Sequence, residues 1–70
     1  MGRMISLGTR LRMLRAERDL SQRALAKLAG ISPNSISLIE RDEISPSVAT
    51  IQNLAMALNV RMSYFFEDEA

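Results

Sequence analysis

The chain is 70 residues long, carries a formal net charge of +1, and contains neither cysteine nor histidine. A chain of this length forms one small domain, in which folding buries only about 60% of the surface that the unfolded chain exposes. Without thiols or imidazoles it has no disulfides, no thiolate or imidazole metal site and none of the common nucleophile–base pairs. We therefore expect a non-enzymatic domain without metal or cofactor.

The first predicted helix spans about Leu7 to Arg18 and has Ser6 as its N-cap. Its apolar residues Leu7, Leu11 and Leu14 recur at helical spacing, which predicts one buried stripe. A second helix is predicted from Gln22 to Ala29, with Ser21 as its N-cap.

Gly30 ends the second helix and forms the elbow of a helix-turn-helix pattern. Glycine tolerates the positive φ that such a turn requires, and the small Ala26 permits two helices to cross closely. A third helix then runs from Pro33 to about Arg41, with Ser32 as N-cap and proline at the first helical position. In this arrangement the third helix can enter the major groove of DNA.

A fourth helix is predicted from about Val48 to Leu58, after a loop that Pro46 and the N-cap Ser47 bring to an end. Its expected buried residues are Val48, Ile51, Leu54, Ala55 and Leu58. Asn59 suits a left-handed C-cap, and a last turn over Met62–Phe66 returns aromatic side chains to the core. No strand pattern is visible, so the predicted fold is all-α with five helices.

The whole chain is predicted to be a single helix-turn-helix domain with an ordered core over about residues 5–66. Residues 1–4 and 67–70 are expected to be frayed ends. The short chain lacks a segment for binding an effector, which predicts either a minimal regulator or the N-terminal part of a longer one. No apolar run reaches the roughly 20 residues of a membrane span and no signal peptide is visible, so we expect a cytoplasmic protein without a membrane partner.

Charge is distributed unevenly along the chain. Residues 1–30 carry seven basic and two acidic side chains, whereas residues 31–70 carry two basic and six acidic ones. This polarity fits a polyanion on one side of the domain, although two solvated faces of opposite sign would give the same counts.

The outward face of the third helix is short in charge and rich in small polar groups. The predicted base-reading residues are Pro33, Asn34, Ser37 and Leu38. Asn34 suits a bidentate contact with adenine, and Leu38 is either a singly exposed leucine or a contact for a thymine methyl group.

Phosphate contacts are expected from helix N-termini and from polar groups that flank the reading face. The candidates are Ser21, Gln22, Ser32, Arg41, Ser45 and Ser47. Arg12 and Arg23 fit a phosphate contact or a solvated surface equally well.

Arg15 and Glu40 are predicted to form a structural ion pair between the first and third helices. Glu40 falls on the inner side of the third helix, where an unpaired carboxylate would be costly, and Arg15 follows the leucine stripe directly. Two independent surface charges are the alternative.

Residues 7–66 resemble the lambda-repressor-like family of Cro/C1-type helix-turn-helix domains, also called the xenobiotic-response-element family. The resemblance rests on LGTRLRMLRAERDLSQRALAKLAGIS, on SISLIERDEISPSVATIQNLAMAL and on the FF turn. It implies five helices that bind double-stranded operator DNA as two-fold dimers. It also maps the family's buried arginine–glutamate pair onto Arg15 and Glu40, and its phosphate-anchoring glutamine onto Gln22. The chain departs from the family at Asp42, where glycine or asparagine is usual.

Within the family, ISPSVATIQNLAMALNV followed by MSYFFEDE looks most like regulators that carry a cupin effector domain. In that case a domain outside this chain binds the effector. The small controller proteins of restriction–modification systems, which also dimerise, are a close rival.

The leading hypothesis is therefore sequence-specific DNA binding by a bacterial or phage regulator, more often a repressor than an activator. Protein interaction, as in an antitoxin or adaptor, is the other class, because Tyr64, Phe65 and Phe66 can supply an apolar surface as well as core. Candidate dimer residues are Met62, Tyr64 and Phe66.

Overall fold

In the computed structural model, residues 3–66 and 68–69 are described. Within them the fold is all-α, with α1 (Leu7–Glu17), α2 (Gln22–Ala29), α3 (Pro33–Glu40) and α4 (Val48–Leu58), followed by a 3₁₀ helix over Met62–Phe66. Packing joins α2 to both α3 and α4, and it joins α1 to α3 and to the 3₁₀ helix. The helix-turn-helix is formed by α2 and α3.

Each α-helix starts at a serine N-cap, as the sequence predicted. The four hydroxyl oxygens accept the backbone N–H of the residue three positions later: Ser6 from Thr9, Ser21 from Ala24, Ser32 from Ser35, and Ser47 from Thr50. Such a cap satisfies one N–H that has no partner within the helix. The caps explain why the predicted helix starts agree with the observed ones.

Left-handed residues end α2 and α4, also as predicted. Gly30 has a φ of 73° and Asn59 a φ of 58°. A Cβ at Gly30 would meet no atom within 4 Å, so the backbone conformation and not a lack of space favours glycine there.

Of the five predicted helices four are α-helices, and the predicted last turn over Met62–Phe66 is a five-residue 3₁₀ helix. The N–H of Tyr64 donates to the carbonyl oxygen of Arg61 at 3.0 Å, a tighter spacing than in an α-helix. So few residues form too few α-helical hydrogen bonds to offset the entropy of ordering them.

The prediction of frayed ends without strands is also wrong where the backbone is described. Arg3–Met4 pairs with Asp68–Glu69 in an antiparallel two-stranded sheet, with Arg3 opposite Glu69 and Met4 opposite Asp68. Strands of two residues are too short to show the alternation by which strands are found in a sequence. Met1, Gly2, Glu67 and Ala70, also predicted to be frayed, lie outside the described residues.

The core contains most of the apolar residues that the helical periodicity predicted. Its buried members are Leu11, Leu14, Leu25, Ala26, Ala29, Ile36, Ile39, Ile51, Leu54, Ala55, Leu58 and Phe65. Val48, which was predicted to be buried, is 70% exposed. It occupies the first position of α4, where a side chain tilted toward the helix N-terminus extends beyond the packed turns.

The 3₁₀ helix buries one aromatic ring and exposes another. Phe65 is buried against Tyr64, whose ring lies edge-on to it, whereas Phe66 is 58% exposed. Of the three aromatic residues Tyr64, Phe65 and Phe66, only Phe65 is therefore fully part of the core. The guanidinium carbon of Arg10, a buried α1 residue that the sequence analysis did not single out, lies 5.5 Å from the centroid of the Tyr64 ring.

Gly8 marks a close approach between α1 and the end of α3. A Cβ on Gly8 would overlap the carbonyl oxygen of Ile39 and would lie 2.9 Å from that of Glu40. The first turn of α1 therefore rests directly on backbone, which cannot yield as a flexible side chain can.

Asp42 strengthens the same contact. It has a φ of 58°, and its Oδ1 accepts the N–H of Gly8 at 3.2 Å. A carboxylate at a helix N-terminus is favourable because the free N–H groups there are partly positive. This hydrogen bond offsets the cost of a left-handed aspartate, at the position where the chain departs from the family pattern.

We expect Gly8→Ala to destabilise the domain by about 1–3 kcal/mol, because the added methyl group overpacks the contact with α3. Helix propensity alone predicts the opposite sign, since alanine favours a helix interior by about 1 kcal/mol over glycine. Urea denaturation measures the difference. Ala16→Gly, at an exposed position of the same helix, reports the propensity contribution alone. A stabilised Gly8→Ala variant would contradict the close approach.

Candidate nucleic-acid interface

α3 buries one side and presents the other to solvent. Ile36, Ile39 and Glu40 are buried on α1 and α2, whereas Pro33 and Asn34 are exposed. Ser37 and Leu38 are half-buried, so Leu38 is less exposed than the helical projection predicted. The four predicted base-reading residues thus lie along one accessible edge of α3, with the best-exposed ones in its first turn.

The turn between α2 and α3 is closed by backbone hydrogen bonding. The N–H of Ile31 donates to the carbonyl oxygen of Ala26 at 3.0 Å, across the left-handed Gly30. Ser32 then caps α3, so only Ile31 lies between the elbow residue Gly30 and the cap of the third helix.

An ion pair holds the inner side of α3 against α1. Arg15 donates from Nε to Oε2 of Glu40 at 2.6 Å and from Nη2 to Oε1 at 3.0 Å. The side chain of Glu40 is only 3% exposed and that of Arg15 is 17% exposed. The structure therefore brings together the two residues that the sequence analysis paired, in the bidentate geometry that favours arginine.

Arg15 also donates from Nη1 to the carbonyl oxygen of Leu20 at 2.8 Å, in the connection between α1 and α2. The hydrogen bond and the charge of Glu40 raise the pKa of the Arg15 guanidinium, against the opposing effect of burial. The pair thus keeps its cation at every pH at which a protein is normally handled.

Gln22, a predicted phosphate contact, is the third member of this cluster through an unpredicted contact with Glu40. Its Nε2 donates to Oε1 of Glu40 at 3.0 Å. The two residues are 18 positions apart in the chain, and neither residue's local pattern indicates the contact.

The other predicted phosphate contacts are spread over helix ends and a loop. The hydroxyl groups of Ser21, Ser32 and Ser47 are exposed but engaged as N-caps. Ser45 is exposed in the loop before α4, as is Arg41 at the end of α3.

The charge of Arg41 is partly compensated by an acidic neighbour. Its Nη1 lies 3.3 Å from Oε2 of Glu43, and both side chains are more than half exposed. A pair this exposed contributes little to stability and opens readily in water. Arg41 therefore remains accessible to an anion, but Glu43, which the sequence analysis overlooked, competes for it.

No cluster of three or more acidic side chains suited to a metal ion occurs among the residues that the structure describes. None of the helices over the same residues combines the length and the apolar character that crossing a bilayer requires.

The arrangement of α2, elbow and α3 is that of a helix-turn-helix protein. The Helix-turn-helix family profile matches residues 11–65, and the chain belongs to this family, in its lambda-repressor-like, Cro/C1 type. The HTH-type transcriptional regulator PuuR of Escherichia coli is 39% identical over 61 residues, which are 87% of this chain and 33% of PuuR. The chain thus spans about a third of the length of that relative.

Two solved structures share the fold. The restriction–modification controller protein C.AhdI from Aeromonas hydrophila has a TM-score of 0.84 and 37% identity, over 86% of this chain and 91% of that one. The P22 c2 repressor, in complex with a synthetic operator, has a TM-score of 0.84 and 32% identity, over 89% of this chain and 94% of that one.

We expect Arg15→Met to destabilise the domain by about 3 kcal/mol, because it leaves the carboxylate of Glu40 buried without its cation. Glu40→Gln should cost less, about 1–2 kcal/mol, since the amide still accepts a hydrogen bond and Arg15 has access to water.

Thermal unfolding followed by circular dichroism measures both variants. The control is the double variant Arg15→Met with Glu40→Gln, which removes both charges and should be more stable than Arg15→Met alone. A double variant as unstable as the sum of the two single changes would contradict a direct ion pair.

Proposed function

We propose that this domain binds operator DNA as a homodimer and regulates transcription in the bacterial cytoplasm, most simply as a repressor that occludes a promoter. The observation that carries the proposal is the accessible edge of α3, which the Arg15–Glu40 pair and the Gly30 elbow hold away from the core. An α-helix presented in this way fits the major groove, and the net positive charge of residues 1–30 favours approach to a polyanion.

Base reading falls to the first two turns of α3. Asn34, exposed near the helix start, has the donor and acceptor that match adenine N7 and N6. Pro33 and Leu38 offer apolar contacts for thymine methyl groups, and the hydroxyl of Ser37 can donate or accept.

Phosphate contacts position the domain on the duplex. The N-terminus of α2 carries backbone N–H groups without helical partners, beside Ser21 and Gln22. Ser32 lies at the start of α3, and Arg41, Ser45 and Ser47 follow its end. Because Arg41 is the one cation among these candidates and has Glu43 beside it, a moderate salt dependence per subunit follows.

A second copy supplies the rest of the affinity. The accessible edge of α3 reads only a few base pairs, whereas two copies place their recognition helices about 34 Å apart in successive major grooves. We assign the contact between copies to the 3₁₀ helix, where Phe66 is exposed and Met62 and Tyr64 are half-buried. Exposed Ile44 lies with Phe66 along one apolar cavity and extends this surface toward the end of α3.

We expect Asn34→Ala to weaken binding to a specific site by about 5- to 100-fold, which corresponds to the loss of one bidentate base contact. The site is first enriched from a random duplex pool, and fluorescence anisotropy then compares it with a scrambled duplex. Affinity for the scrambled duplex should not change.

Asn53→Ala is the matched control, because Asn53 is also an exposed asparagine, on α4. It should alter neither affinity. Equal binding of the unmodified protein to enriched and scrambled duplexes at every salt concentration would refute sequence-specific recognition.

We expect Phe66→Ser to shift the protein toward monomer in sedimentation velocity and to weaken binding to a two-half-site duplex at least tenfold, with little change for a single half-site. Met56→Ser is the control, since Met56 is 71% exposed on α4 and lies outside the proposed surface. Equal binding of Phe66→Ser and the unmodified protein to the two-half-site duplex would exclude this surface.

A controller protein of a restriction–modification system is the second candidate function. It is favoured by the match to C.AhdI, which this domain covers almost end to end. Such a role requires the same DNA interface and dimer. A promoter–reporter assay with the enriched site placed upstream of, or overlapping, the promoter separates activation from repression.

A further inference from the structure

The carboxylate of Glu40 has one partner more than an ion pair needs. Both of its oxygens accept from Arg15, and Oε1 accepts a third hydrogen bond from Nε2 of Gln22 at 3.0 Å. The three side chains come from three different helices: Arg15 from α1, Gln22 from α2 and Glu40 from α3. The cluster therefore joins the ion pair of the core to the first residue of α2.

The chemistry of this contact determines the orientation of the Gln22 side chain. An ionised carboxylate only accepts hydrogen bonds, so the NH₂ end of the Gln22 carboxamide has to face Glu40. That NH₂ group has two hydrogens, and the bond to Oε1 uses one of them. Because this bond fixes the orientation of the carboxamide, it also fixes the directions of the second N–H and of the amide oxygen.

Gln22 is also well placed to use the second N–H. It is the first residue of α2, next to backbone N–H groups that have no acceptor within the helix. The hydroxyl oxygen of Ser21 already accepts the N–H of Ala24. A phosphate oxygen at this helix end would meet donors from backbone and side chain together.

Electrostatics permit a phosphate near this carboxylate only because Arg15 is present. Glu40 alone would repel an anion, but its charge is balanced by a guanidinium hydrogen-bonded to both oxygens. The cluster then presents an oriented amide donor without a net negative charge.

We propose that Glu40 is a positioning residue for DNA binding, which orients Gln22 as a donor to a backbone phosphate. The proposal rests on the proposed DNA-binding function and adds to it the role of a residue that lies inside the protein. Its advantage is preorganisation: a glutamine already held in one rotamer loses less side-chain entropy on binding than a free one.

The test is a double-mutant cycle on DNA affinity with Gln22→Ala, Glu40→Gln and the two together. In Glu40→Gln the neutral amide can accept or donate, so Gln22 is no longer restricted to one orientation. We expect each single change to weaken binding on the order of fivefold, and the double variant to be no weaker than Gln22→Ala. The loss should be equal on enriched and scrambled duplexes, because phosphate contacts carry no sequence information.

Affinities are measured at a temperature where circular dichroism shows every variant folded. Ile39→Val is the matched control: it removes a methyl group from the buried side of the same helix and keeps all three side chains of the cluster, and it should bind DNA like the unmodified protein. Effects of Glu40→Gln and Gln22→Ala that simply multiply would show that Glu40 does not act through Gln22, and would overturn the proposal.

NMR of the DNA-free protein gives a second readout. The Gln22 side-chain NH₂ should show two well-separated proton signals that move toward the values of a solvated glutamine in Glu40→Gln. Unchanged signals would overturn the proposal even if the protein binds DNA. If the unmodified protein binds no duplex at all, the proposed function itself fails, and that result is distinct from a failed cycle.

Discussion

The burial of one carboxylate is the constraint on which the rest of this domain depends. Glu40 lies in the last turn of α3, where the partly negative carbonyl end of the helix already disfavours an anion. A cation is therefore required beside it, and Arg15 of α1 provides one at 2.6 Å. Because bidentate geometry tolerates little rotation, the pair sets how α3 is turned about its axis, and hence which residues face outward.

Two further contacts secure the same junction. Gly8 permits α1 to rest on the carbonyl groups at the end of α3, and Asp42 returns a carboxylate to the N-terminus of α1. At the far end of α1, Arg18 donates from Nε to the carbonyl oxygen of Leu58 at 3.1 Å, close to the C-terminus of α4. In this small domain α1 is therefore fixed to α3 and to α4 by polar contacts, in addition to the packing of its leucine stripe.

This construction separates stability from recognition. The groups that hold α3 are on its buried side, whereas Pro33 and Asn34 are exposed and are not part of the core. A change at the exposed Asn34 is therefore expected to have little effect on folding. Glu40 is the exception in our proposal, because its ion pair serves the fold and its contact with Gln22 serves binding.

The amino-acid sequence by itself determined the helix starts, the left-handed Gly30 and Asn59, and nearly the whole apolar core, because these follow from interactions between residues a few positions apart. It also indicated the Arg15–Glu40 pair, since a carboxylate on an apolar helix face demands a cation. Only the tertiary structure decided the glycine contact at Gly8, the cap from Asp42, the contact of Gln22 with Glu40 and the pairing of the two chain ends. These contacts join residues far apart in the chain, 34 positions for Gly8 and Asp42 and more for Arg3 and Glu69, and only the folded backbone brings such residues together.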